Sequence, residues 1–190
     1  MSDYMPWDKS WQKQIVYLPW IQPDIRGMEH SPVLPAYPIF LESLRHGGGG
    51  YGFFSAVASA MVFLLGHEPE APVNALYRDW LMEFNKELPK QLLLEGTDMA
   101  SKYKLTQAVW MLQASLLLEP TSYETHYNLA LAFNNLATKL SREEKYVDAS
   151  ACYRQANQYF ENAAQLEDTD FREGMRKADE GHDPSIYREW

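Results

Sequence analysis

The chain has 190 residues, 46% of them hydrophobic and 23% charged, with 17 Lys plus Arg against 26 Asp plus Glu. That length suits one domain with a real core, and the formal charge of −9 argues against a nucleic-acid partner, because phosphate binding needs surplus Lys and Arg. The single cysteine, Cys152, excludes an intramolecular disulfide and a multi-cysteine metal site; with no basic-then-apolar leader at Met1–Lys9, the expected address is the cytoplasm.

Residues 1–37 read as an extended arm. Six of the 11 prolines stand at positions 6, 19, 23, 32, 35 and 38, which forbids long helices there. One short helix fits between Asp8 and Leu18, with Trp11, Ile15 and Leu18 on one face. Trp7, Trp11, Ile15, Tyr17 and Trp20 carry much apolar area for a leader, so the arm is expected to dock, either on its own body or on a neighbour.

Beyond Pro38 the pattern is helical, and no run alternates apolar and polar residues as a half-buried strand would. Tyr37 to Arg45 forms a short amphipathic segment that stops at Gly47–Gly50. Phe53 to Leu65 is an apolar helix ended by Gly66 and Pro69, too short at 13 residues to span a bilayer, which takes about 20. Val73 to Leu88 follows, with Leu76, Trp80, Phe84 and Leu88 in a 3.6-residue stripe. The expected fold class is all-α.

Two later stretches share a helix–turn–helix layout. Pro89 to Ser122 carries Leu92, Gly96 and Met99 on a first helix and Ala108, Leu112 and Pro120 on a second. The pattern recurs 34 residues on with His126, Leu129, Ala130 and Phe133. These residues resemble the tetratricopeptide repeat. The resemblance implies a short α-solenoid: divergent helices over 38–88, one repeat over 89–122, a lengthened repeat over 123–168, and a capping helix and tail over 169–190. In the second repeat the small–large pair is Ala149 with Tyr153 or Ala156 with Phe160; the later choice makes both helices about two turns longer. Thr121-Ser-Tyr-Glu124, Ser141-Arg-Glu-Glu144 and Asp170-Phe-Arg-Glu173 read as capping boxes opening successive helices.

Catalytic and ligand motifs are scarce. Gly47-Gly-Gly-Gly-Tyr-Gly52 matches the dinucleotide fingerprint in letters, but no strand precedes it, so an inter-helix loop is expected. His30, His46, His67, His126 and His182 never pair at helical spacing, and the Asp179–Asp183 cluster reads as a solvated tail, so no metal and no cofactor is expected. Cys152 has no evident base beside it and reads as a packed thiol. Nothing in the sequence argues for an enzyme.

The resemblance implies a binding surface on the first helices, with Leu93, Thr97, Tyr127, Leu131, Asn134 and Asn135 as candidate contacts for a protein or peptide. In chaperone-binding relatives of that family, Asn and basic residues clamp a peptide's C-terminal carboxylate. Asn128 aligns with the clamp Asn, and Arg172 and Arg176 follow if a further first helix starts at Phe171, whereas Leu93 and Thr97 stand where Lys and Asn are expected. Three polar residues on solvent faces are the plainer reading. The expected function is a non-catalytic adaptor or scaffold. Two alternatives are a structural subunit held through the arm, and a peripheral membrane helper using Trp7, Trp11, Ile15 and Leu18 with Lys9 and Lys13; two lysines against a charge of −9 make the latter weaker. Oligomeric state stays open.

Overall fold

The computed structural model describes residues 15–19, 36–40, 42–43 and 51–181, with side chains described for all of these except 19, 51–53 and 168–181. Among them are two strands, β1 (Ile15–Pro19) and β2 (Ala36–Phe40), and six helices: α1 (Tyr51–His67), α2 (Asn74–Phe84), α3 (Leu88–Ser101), α4 (Leu105–Leu118), α5 (Tyr123–Arg142) and α6 (Tyr146–Gly181).

The strands correct the sequence reading. β1 and β2 pair antiparallel, with Ile15 opposite Phe40, Tyr17 opposite Pro38 and Pro19 opposite Ala36. Ile15 to Leu18 are therefore extended instead of closing a helix from Asp8, and Tyr37 to Phe40 are strand instead of the start of an amphipathic helix. The reason is burial on both faces. Tyr37, Pro38 and Ile39 are buried in succession, so the alternation that announces a half-exposed strand is missing. Proline's fixed φ suits extended backbone, and β-branched Ile15, Val16 and Ile39 suit a pleat.

α1 starts two residues before the expected helix and runs through Gly66 to His67. It is buried at Val57, Ala58, Ala60, Met61, Val62, Leu64 and Leu65, so it is covered on several sides. Ile15, Tyr37 and Ile39 of the sheet pack with this face and with Tyr77, Trp80 and Leu81 of α2 in one core. Gly66 is not a helix stop. A β-carbon there would lie 2.2 Å from the carbonyl oxygen of Trp110 on α4, so glycine is what lets α1 and α4 meet backbone to backbone. Around this crossing Phe63 stacks on His67 at 3.8 Å and lies 5.5 Å from Trp110. α2 ends at Phe84, and Leu88, expected at its end, begins α3.

α3 with α4 and α5 with α6 form two hairpins around a second core built on Leu105, Val109, Leu112, Leu129, Phe133, Leu136, Leu140 and Cys152. Their turns repeat one geometry. Tyr103 and Glu144, 41 positions apart, both take positive φ (57° and 60°). In the first turn the Lys104 amide donates to Met99 O, and in the second the Lys145 amide donates to Leu140 O, both at five residues' separation (3.0 and 2.9 Å). The extra spacing beyond 34 residues lies in α5, which has 20 residues against 14 in α3. Gly96 is the close-approach position of the first hairpin: a β-carbon would meet Leu112 Cγ at 2.7 Å and Ala108 O at 3.4 Å. In the second hairpin Ala149 and Ala156 are both buried.

Three capping expectations shift. Ser122, not Thr121, caps α5, its hydroxyl accepting the Thr125 amide at 3.2 Å. Ser141 and Arg142 belong to the last turn of α5, and Glu144 sits in the turn, so no helix opens there. α6 passes unbroken through Asp170, so residues 169–181 continue it and do not form a separate capping helix.

Candidate functional site

α3 and α5 are the first helices of their hairpins, and where both begin a groove of about 710 Å³ opens between them. Pro89, Lys90, Leu93 and Leu94 of α3 form one wall; Glu119 and Thr121 of the connecting turn, Ser122 to Thr125, and Glu167 of α6 form the rest. The floor is held by hydroxyls. Ser115 Oγ on α4 donates to Pro89 O at 2.8 Å and lies 3.4 Å from Thr125 Oγ1, which donates to Ser122 Oγ at 2.8 Å. This chain ties α3, α4 and α5 together and satisfies buried polar atoms that would otherwise cost stability. His126 Nε2 lies 3.1 Å from Pro120 O and pins the α4–α5 turn.

The exposed side chains at the groove and further along α5 are apolar and acidic. Leu94 is 63% exposed, Tyr127 42% and Leu131 37%, values high for large apolar side chains on a packed helix pair. Tyr123 and Tyr127 stack with centroids 6.0 Å apart, and Tyr127 meets Phe160 of α6 edge-on at 5.8 Å. Among the described residues none of Glu119, Glu124 and Glu167 forms an ion pair. The Tyr123 hydroxyl is held above its usual pKa by partial desolvation first, then by the Glu167 carboxylate, Tyr127 and Glu124.

The residues expected at a binding surface separate into groups. Leu93 lines the groove, and Thr97 is exposed one turn further along α3, its hydroxyl donating to Leu93 O at 2.8 Å. Tyr127 and Leu131 form an exposed i, i+4 stripe on α5. Asn134 and Asn135 extend it, half-buried and exposed respectively. The Asn128 amide donates to Glu124 O of its own helix at 2.8 Å. Arg172 and Arg176 do not start a further first helix; they continue α6 roughly 7.5 and 13.5 Å beyond Glu167 by helix rise. Asn128 lies the other way, roughly 7.5 Å along α5 from Tyr123, so the backbone does not gather the three into one carboxylate clamp. The groove's Lys90, Leu94, Glu119, Glu124 and Glu167 were not among the expected contacts. The spacing of Lys90 with Leu94, and of Tyr123 with Tyr127 and Leu131, is the signal that could have found part of it.

Other expected features have settled positions. Ile15 is buried in the first core, whereas Tyr17 is 57% exposed. Trp7, Trp11, Trp20 and Gly47–Gly50 lie outside the described residues. Cys152 is buried, and its thiol is pushed up to about 11 by burial and then by Asp148, which leaves almost no thiolate at neutral pH. Among the described residues no three His, Cys, Asp or Glu side chains converge as metal ligands, and no helix is long and apolar enough to cross a membrane. Comparison of the chain with protein-family models, with curated proteins and with solved structures finds no match.

Proposed function

We propose that this protein is a non-catalytic adaptor or scaffold, tetratricopeptide-like in its two hairpins, that binds a protein or peptide across α3 and α5. The observation that carries the reading is a groove between two first helices lined by Leu93 and the exposed Leu94, with the exposed Tyr127 and Leu131 further along α5. Exposed apolar side chains clustered at a groove favour association, because covering them removes about 25 cal/mol per Å² of apolar surface from water. The repeated turn geometry at Tyr103 and Glu144 supports a common hairpin unit, and the buried thiol of Cys152 offers no nucleophile. Leu131→Glu tests the reading. Proteins captured from native lysate on the wild-type chain are expected to be lost on the variant, with melting temperature within about 2 °C of wild type, since surface changes cost little. Equal capture by a folded variant overturns it.

A further inference from the structure

Resting on that interaction reading, we infer that the groove takes a cationic amphipathic segment of a partner protein, its apolar side chains between Leu94 and Tyr123 and its Lys or Arg side chains beside Glu119, Glu124 and Glu167. The charge count of the lining is unbalanced. Three carboxylates from three different segments face one space with Lys90 as the single lining cation, and none of the three is neutralised by an ion pair among the described residues. They are aligned around apolar walls, the arrangement an amphipathic cation matches on both counts.

Helix starts ordinarily favour anions, so the two that open here need weighing. At α5 the Ser122 hydroxyl already accepts the Thr125 amide, and Glu124 sits in the first turn against the positive end of the helix. At α3 the preceding residue is Glu87, and Pro89 contributes no amide. An incoming carboxylate would find few free donors and three like charges. The Tyr123 hydroxyl, raised in pKa first by desolvation, is raised further by Glu167, Tyr127 and Glu124. The stacked Tyr123 and Tyr127 rings also offer π faces to a guanidinium or ammonium group. The chain's net charge of −9 would speed encounter with such a partner.

The test uses the full chain and two fluorescent helical peptides with identical Leu positions, one carrying Lys on its polar face and the other Glu. Anisotropy titrations are expected to show the Lys peptide binding about tenfold tighter or better, as two or three partly exposed ion pairs allow. Glu124→Lys/Glu167→Lys should remove that preference, and Glu124→Gln/Glu167→Gln should reduce it. Glu143→Lys/Glu144→Lys changes net charge equally, roughly 28 Å away along α5, and should shift affinity less than twofold. Leu94→Asp should weaken the Lys peptide about tenfold through lost apolar contact. If the distant pair weakens binding as much as the groove pair, the attraction is the whole-molecule field and the inference falls. If both peptides bind equally and Leu94→Asp abolishes both, the cationic preference is wrong while the groove still binds peptides. If neither binds, the inference is overturned; the Leu131→Glu capture result then decides separately whether the interaction reading survives.

Discussion

Gly66→Ala is the substitution whose outcome the packing decides most directly. Glycine is the poorer helix former, so in a freely exposed helical position the change would stabilise by up to about 1 kcal/mol. Here the new β-carbon would stand 2.2 Å from Trp110 O and 2.8 Å from Trp110 C. A comfortable carbon–oxygen contact is about 3.3 Å or more, so the overlap is close to 1 Å. Its partner is backbone, and no side-chain rotation can relieve it. α1 and α4 must separate, and a gap of 0.5–1 Å already forfeits about a quarter to a half of each dispersion contact across the interface. Overpacking of this kind costs about 1–3 kcal/mol, and the forfeited contacts raise the total to roughly 3–4 before the helix gain is subtracted. The net expectation is a loss of about 2–3 kcal/mol, or 5–10 °C in Tm for a chain of this size. Thermal and urea melts followed by far-ultraviolet circular dichroism measure it. Trp110→Ala should add to the loss instead of rescuing it, since the clash is with the Trp110 main chain. An unchanged or raised Tm for Gly66→Ala would refute the α1–α4 crossing.

Two further predictions concern the second core and the response to alkali. Ala108 is fully buried opposite Gly96, so Ala108→Leu should overpack that crossing and cost about 1–3 kcal/mol, read as a lower urea midpoint. Burial, with Tyr17 and Glu68 nearby, pushes the Tyr77 hydroxyl from 10.0 up to about 12. Because the folded pKa is the higher one, this group favours folding fully below pH 10 and loses its contribution as pH rises towards 12; Tyr77→Phe should flatten that decline in urea titrations between those values.

The helical half of the molecule was legible because its stripes have a period and its turns have punctuation. Leu92, Gly96, Ala108 and Leu112 lie where the spacing placed them, on two short helices that touch at the glycine. The sheet was not legible, because a strand covered on both faces has no alternation and Tyr37–Ile39 reads equally well as a turn of buried helix. Gly66 was misread for a related reason. A glycine near the end of an apolar run signals a stop by local rules, and only the tertiary approach of Trp110 shows that it serves contact. Capping boxes failed at Ser141 and Asp170 because a local hydrogen-bond option yields when the helix is held by packing elsewhere. The groove was half visible: Leu93 sat in the expected set, but its acidic rim comes from three segments separated in sequence, and no spacing rule joins Glu119, Glu124 and Glu167.

How two hairpins form a stable stack follows from the two ends. A helix hairpin that cannot bury its own apolar face needs a neighbour. At the first end α1 supplies that neighbour: it packs along α4 through Gly66 and Trp110, while the β1–β2 pair and α2 cover its other sides. At the second end, among the described residues, α6 exposes the polar Arg154, Asn157, Gln158, Glu161 and Gln165, and with them Val147 and Ala164. A face that is mostly polar loses little by meeting water. Exposed large apolar side chains stand on α3 and α5 (Leu94, Tyr127, Leu131), at the α3–α4 turn (Tyr103) and on α6 (Tyr146, Val147, Tyr153). Of these, Leu94 lines the groove, and the Leu94→Asp and Leu131→Glu variants measure whether a partner lies across α3 and α5.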